Sequence, residues 1–410
     1  MSANGDVAIL RELVKQYVEI AAKPIQDERR DLWRRHNSFE RTRPPIYVRW
    51  LAAWHEAEES KLKCEDRFFQ HFEAVLRQEI FQDGIGDDSI QEPWLTLGAS
   101  RPTPPGGIWG LPYGRIPSPI SGGSWMFDPP IKRWEDMEGL AEIHHIIDEE
   151  ATARNLARIQ EAIGDLIEIN VDRAPVWQVW HADISYDLAN LRGLEQVMWD
   201  MADAPEQLHG LCRFLSEGIQ RVHQEAEDAG DWRLCDHQNQ ASPYALELPD
   251  PQANSEPVKR EQLWVFAAAQ EMAQVSPAMH DEFVLQYQLP IISRFGLCAY
   301  GCCEDLTHKI DMLRQIPNLR RIAVTPVADV AKCAEQIGTE YIFSWRPNPS
   351  EMICCGFDPD LIRRVVRDAM EASKGCHVDI TLKDVQTVQH NTANLREWVK
   401  VVRGISDEYV

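Results

Sequence analysis

Residues 295–306 read FGLCAYGCCEDL: a short apolar run leads into Cys302 and Cys303, then at once into Glu304 and Asp305. The run reads as a buried strand, and the same rhythm extends on both sides of it. Helix 277–293 precedes it. Helix 305–315 leads to RRIAVTP (320–326), helix 328–337 to EYIFSW (340–345), helix 358–373 to CHVDITL (376–382), and helix 391–403 closes the chain. Upstream, RPPIYVRWL (43–51) reads as a strand, because Pro44 and Pro45 break a helix while Ile46, Tyr47 and Val48 favour extension. DDSIQEPWLTLG (87–98), APVWQVW (174–180) and DWRLCDH (231–237) supply three more, with helices over 58–81, 147–164 and 192–229. Strands near residues 46, 91, 176, 233, 298, 322, 342 and 378 make eight, each followed by a helix. Short apolar strands alternating with helices imply a parallel sheet covered by helices. Eight such units predict an α/β fold of the closed (β/α)8 TIM-barrel kind. A doubly wound open sheet is the alternative, but no GxGxxG or GxxxxGK[ST] is present to seat a nucleotide in one.

The 410 residues suit one such barrel with insertions. Residues 6–42 read as helical, so 1–42 is expected to form a helical extension and 43–410 a single barrel domain. Insertions are expected at 98–131 and 239–263. The first, GASRPTPPGGIWGLPYGRIPSPISGGSW onward, is too rich in Pro and Gly for regular structure. Its Trp and Tyr residues favour an ordered loop packed over something, such as a lid, over a bland linker.

A formal net charge of −23 argues against a nucleic-acid partner, whose phosphates would repel the chain, and favours a soluble cytoplasmic protein. The N-terminal stretch carries charges throughout rather than an apolar signal core, and no apolar run approaches a membrane span. The ten cysteines read as buried thiols, metal ligands or reactive groups, and no CxxC pair occurs.

In a barrel of this kind the active site lies at the C-terminal ends of the strands. After the first strand stand His55 and Glu56, after the third His181 and Asp183, and after the fourth Asp236 and His237. Cys302, Cys303 and Glu304 follow the fifth, Arg346 the seventh, and Lys383 and Asp384 the eighth. If the fifth strand continues, Tyr300, Cys302 and Glu304 share one face. Cys302 and Glu304, with His237 from a neighbouring strand, would then present sulfur, oxygen and nitrogen to a zinc ion. Equally, Cys302 and Cys303 are small residues filling a tight strand end. His55 and Glu56 read either as an acid/base or binding pair or as the start of a helix. Arg346 reads as a fork for a substrate carboxylate or as a solvated turn residue. His280, His308 and His390 are expected to be exposed.

The order of several phrases resembles the uroporphyrinogen decarboxylase superfamily, which includes corrinoid-dependent methyltransferases. The phrases are APVWQVWHADISYDLANLRGLEQVMWDMADAPEQLHGL with its Asp203-to-Glu206 segment, VSPAMHDEFVLQYQLPII with Ser276, Pro277, Phe283 and Tyr287, and HVDITLKDVQTVQHNTANLREWVKVV. The resemblance covers most of residues 43–403 and implies the same barrel with its site at the strand C-termini. The thiol-activating methyltransferases of this group carry His-x-Cys at the fifth strand and a second cysteine after the eighth. Tyr300-Gly301-Cys302 stands at the first place, so only the cysteine matches, and Lys383-Asp384 stands at the second. The decarboxylase's arginine-rich stretch is replaced by VRWLAAWHEAEES, an acidic mouth that would repel a polyanionic porphyrinogen.

What the resemblance implies is a divergent enzyme moving a methyl group from a small methylated donor to a corrinoid protein. Its chemistry would need a proton donor or a zinc ion near the leaving atom. Catalytic candidates are His55, Glu56, His181, Asp183, Asp236, Glu271, Arg346 and Lys383; metal candidates are Cys302, Glu304 and His237. A decarboxylase or lyase of a small carboxylated substrate, or a non-enzymatic binding barrel, are the alternatives. The chain is expected as a monomer or homodimer.

Overall fold

A computed structural model describes residues 3–102, 104–120, 123–175 and 182–409. Its strands are β1 (Ile46–Val48), β2 (Trp94–Gly98), β3 (Gly114–Ile116), β4 (Met126–Asp128) and β5 (Glu168–Asp172), then β6 (Trp264–Ala267), β7 (Leu297–Tyr300), β8 (Leu319–Val324), β9 (Ile342–Trp345) and β10 (His377–Leu382). Six form one parallel sheet in the order β1-β10-β9-β8-β7-β6. β2 and β5 form a separate parallel pair, and β3 and β4 an antiparallel hairpin. The six-stranded sheet is curled into half a barrel. Lys383, just past β10, comes within 3.4 Å of Cys302, just past β7, although β9 and β8 lie between. In a flat sheet those strands would be about 14 Å apart, at about 4.8 Å per step.

The closed eight-stranded ladder expected from the sequence is therefore not what the backbone hydrogen bonds make: eight parallel strands fall into ladders of six and two. Side chains explain where the ladders stop. At the edge of β1, Val48 N–H donates to Asp87 Oδ2 at 2.8 Å, and Val48 C=O accepts from Gln82 Nε2 at 3.0 Å. Ile46 N–H donates to Asp88 Oδ2 at 2.8 Å. At the edge of β5, Asn254 accepts from Val171 N–H at 3.1 Å and donates to Ile169 C=O at 2.9 Å. At β6, Trp264 N–H donates to His237 Nδ1 at 3.1 Å. An edge whose polar groups are already paired offers no template for another strand.

One strand assignment changes. Residues 231–237 include a 3-10 turn, Leu234–Asp236, and the strand of that neighbourhood is β6, which begins at Trp264. All four β6 residues are buried, so no alternation marks it. The 176–180 segment lies outside the described residues, and β5 precedes it.

The first helical stretch is two helices, α1 (Ala3–Ala21) and α2 (Pro24–Asn37), with Pro24 opening the second as proline does at a first helical position. After β1 comes α3 (Arg67–Ile85), whose N-terminal N–H of Phe68 is capped by Asp66 and whose C-cap is Gly86 at φ 82°. α4 (Glu149–Ile163) precedes β5; α5 (Ser185–Arg192), α6 (Leu194–Asp203) and α7 (Pro205–Ala229) follow it. Leu10, Val14 and Tyr17 of α1 pack with Phe72 and Leu76 of α3, Ile159 of α4 and Leu97 of β2. Each such aliphatic side chain contributes about 1.5–3 kcal/mol of burial. α2 reaches the N-terminal end of the half-barrel: Trp33 Nε1 donates to Asp88 C=O at 2.7 Å, and His36 stands 3.5 Å from Asp379.

The described residues of 98–131 include the β3–β4 hairpin and the buried Trp109, which packs on Gly218 of α7. A Cβ at Gly218 would stand 2.6 Å from the Trp109 ring. Ile131 N–H donates to Leu191 C=O at 2.9 Å. The segment covers α5 and α7, and none of its described residues lines the main cavity.

Candidate active site

β7 ends at Tyr300, and the next residue decides the site. Gly301 has φ 101°, in the left-handed region, and a Cβ there would fall 2.7 Å from Leu306 Cδ1 and 3.0 Å from Ala323 Cβ. The turn ends the alternation of a strand. Adjacent residues that would point to opposite faces instead bring their sulfurs together, with Cys302 Sγ 3.6 Å from Cys303 Sγ. The shared face expected for Cys302 and Glu304 is thereby corrected. Glu304 turns inward, buried, and accepts from Ala269 N–H at 2.9 Å and from Cys302 N–H at 2.7 Å. It pins the loop to the end of β6.

Three side chains from other elements converge on the thiols. Lys383 Nζ lies 3.4 Å from Cys302 Sγ, 3.0 Å from Cys303 Sγ and 3.1 Å from the Asp384 carboxylate. Gln240 Nε2 is 3.5 Å from Cys302 Sγ. Arg346, buried, donates to the carbonyls of Gly301, at 3.2 Å, and Cys302. It therefore braces the backbone of the loop rather than opening a fork to a carboxylate. The Cys303 thiol's hydrogen bond, followed by the charges of Lys383 and Arg346, outweighs burial and holds the Cys302 thiol down at about 6. Cys303 is driven the other way, first by that same bond, and keeps its proton. At neutral pH the pair is one thiolate and one thiol.

The thiols open on a cavity of about 750 Å³. Lys383 and Asp384 stand on its wall with them, and Tyr47, Trp50, Trp94 and Tyr244 supply aromatic surface. Glu79 of α3 also lines it. Burial, with a smaller push from Asp87 and against a hydrogen bond from Gln91, moves its carboxyl up to about 7. No motif or spacing in the sequence marks Glu79, Gln240 or Tyr47 as site residues. Glu79 stands in AVLRQEIF (74–81) beside Arg77 and Gln78, where it looks like one more solvated polar residue of a helix.

The other expected residues are dispersed. His55 is exposed, its Nδ1 3.1 Å from Ala52 C=O. Partial burial opposes ionisation of Glu56, but bonds from Thr387 and from the N–H groups of His390 and Val388 hold its carboxyl below the usual range. It clamps the loop after β10, and neither it nor His55 lines the cavity. His181 lies outside the described residues. Asp183 and Glu271 meet at Ser185, whose hydroxyl is 2.7 Å from an oxygen of each. One hydroxyl proton cannot serve two carboxylates. Burial, then the Glu271 charge, raises Asp183 well above the carboxylate range. Asp236 is buried, accepts from Arg233 N–H at 2.6 Å, and is raised by burial and by Asp172.

The zinc set does not assemble. His237 lines the cavity, but Nδ1 accepts from Trp264 N–H and Nε2 lies 3.0 Å from Pro249 C=O, which leaves no nitrogen free. Burial lowers its pKa to about 4. Both Glu304 oxygens are taken by backbone N–H groups. Among the described residues no three His, Cys, Asp or Glu side chains gather as a metal-binding group. His280, expected at the surface, is buried with Nε2 2.9 Å from the Tyr300 hydroxyl.

No family model and no curated protein matches the chain. Solved structures do. A methyltransferase from Methanosarcina mazei shares 12% identity and a TM-score of 0.51, over 93% of this chain and 98% of that one. At that identity the likeness establishes a common fold. No helix among the described residues is long and apolar enough to cross a membrane.

Proposed function

We propose that this chain is a methyltransferase of the uroporphyrinogen-decarboxylase-like group, with the two parallel ladders as arcs of one (β/α)8 barrel. The observation that carries the reading is the Cys302 thiolate, held 3.4 Å from the Lys383 ammonium on the wall of the cavity. The methyltransferase with the same fold and the ordered sequence phrases support methyl transfer as the reaction class. A small methylated donor R–X–CH3 enters the cavity. The thiolate lone pair forms the S–CH3 bond as the C–X bond breaks, and X leaves with the bonding pair. Lys383, no longer facing a thiolate, gives that pair its proton. The S–CH3 bond would break next, the sulfur keeping the pair as a thiolate while a reduced corrinoid on a partner protein would take the methyl group, and Lys383 would regain its proton from solvent.

The test is incubation of the full chain with methylamines, methanol, dimethyl sulfide and methoxybenzoates in turn, read by peptide mass spectrometry. The reading expects one methyl gained on the 295–306 segment in the wild type, none in Cys302→Ser, and its loss on addition of reduced corrinoid protein. Conversion of a donor with Cys302→Ser fully active would overturn it.

A further inference from the structure

The methyl-transfer reading uses one thiol of the pair. Cys303 is exposed at the mouth, its Sγ 3.6 Å from Cys302 Sγ and 3.0 Å from Lys383 Nζ. We propose that Cys302 and Cys303 are a thiol–disulfide exchange site, at which a small disulfide closes the two neighbouring residues into a reversible disulfide.

The order of attack follows from the geometry. The Cys302 thiolate attacks one sulfur of the disulfide RSSR; a Cys302–SR bond forms, the S–S bond breaks, and RS⁻ leaves. Cys302 is then neutral. The charge that kept Cys303 protonated is gone, while Lys383 still stands 3.0 Å from its sulfur. The Cys303 sulfur attacks Cys302 Sγ, the second RS group departs with the bonding pair, and that group takes the Cys303 proton. Two electrons pass from the protein sulfurs to RSSR, giving RSH and RS⁻. The sulfurs begin in contact because Gly301 has already turned the chain.

Adjacent Cα atoms are about 3.8 Å apart across a trans peptide, closer than the roughly 4.4–6.8 Å usual for a disulfide. The closed ring is tight, and excess thiol reopens it. Closure removes the nucleophile from the cavity, so the same site is switched off by oxidation.

The chain carries its own comparison. Cys354 and Cys355 are also adjacent, on a π-helical turn, and among the described residues they make no hydrogen bond to a lysine. The experiment treats the full chain with oxidised glutathione and maps thiols by peptide mass spectrometry without reductant. The proposal expects the 295–306 segment to lose two hydrogens, to regain them with dithiothreitol, and to react ahead of Cys354–Cys355. Cys303→Ser should stop at a glutathione adduct on Cys302, and at pH 5, below the Cys302 value of about 6, Lys383→Met should slow the reaction about tenfold, as one pKa unit would there. A wild type that stops at the adduct, or that reacts no faster at 302–303 than at 354–355, overturns the proposal. The readout is independent of methyl transfer, so either idea can fail alone.

Discussion

Lys383 Nζ stands 3.4 Å from Cys302 Sγ, although their strands are separated by two others in the sheet. Curling of the sheet makes the contact, and the contact gives the cavity its one thiolate with an ammonium partner within the described site. The charge of Lys383 is therefore expected to add to the Cys303 hydrogen bond in setting the reactivity of the sulfur. Lys383→Met should slow alkylation of Cys302 by iodoacetamide at pH 5, below the thiol's value of about 6, by about tenfold for each unit its pKa rises. Lys383→Arg should keep most of the rate. Equal rates in Met and Arg variants would show that the charge is idle.

Glu79 makes stability fall as pH rises. Between the ordinary carboxyl range and its folded value of about 7, the folded chain holds a proton there that the unfolded chain has lost. Its contribution is fully present below the unfolded pKa and is lost as pH rises through about 7. Asp87, moved up to about 6 by burial, acts in the same direction. Cys302 acts oppositely: its contribution is present above the ordinary thiol range and lost as pH falls through about 6. Urea midpoints measured at pH 5 and pH 8 should therefore drop more in the wild type than in Glu79→Gln. A steeper drop in the variant would refute the assignment.

Ser185 keeps two carboxyl groups apart by bonding both. Ser185→Ala should destabilise the chain by about 1–3 kcal/mol, the cost of leaving a buried polar group unpaired. Asp183→Asn, which imitates the protonated partner, should cost less. Chemical denaturation of the two variants at pH 7 orders them.

At Gly301 the positive φ and the contacts with Leu306 and Ala323 act together. Gly301→Ala should cost at least about 1–3 kcal/mol from the backbone conformation alone. It should also part the two sulfurs, so Cys302 alkylation slows in whatever fraction remains folded. A variant with wild-type stability and labelling rate would remove the turn from the account.

The repeated strand–helix rhythm from residue 295 onward was legible, because β7 to β10 are short apolar runs between amphipathic helices. β1 was legible from its prolines. β6 was not: WVFA is buried throughout and follows an irregular stretch, so it carries neither alternation nor a helix before it. DWRLCDH imitates a strand in composition, yet Asp236 folds back to accept from Arg233 N–H and closes a turn. Cys302 and Lys383 were each marked by their place after a strand, but their pairing depends on curvature, which no local pattern records. Glu304 looks like a ligand only if strand alternation is carried three residues past Gly301. His237 looked like one because its role in capping β6 is a tertiary contact across 27 residues.

The most direct measurement is the thiolate absorbance of the folded chain in the far ultraviolet as pH is raised, with the Cys302→Ser curve subtracted. The account predicts a single titration with its midpoint near the value of about 6 set by Cys303, Lys383 and Arg346. A midpoint in the ordinary thiol range, near ~8.5, would contradict it, and with it the nucleophile on which the proposed chemistry rests.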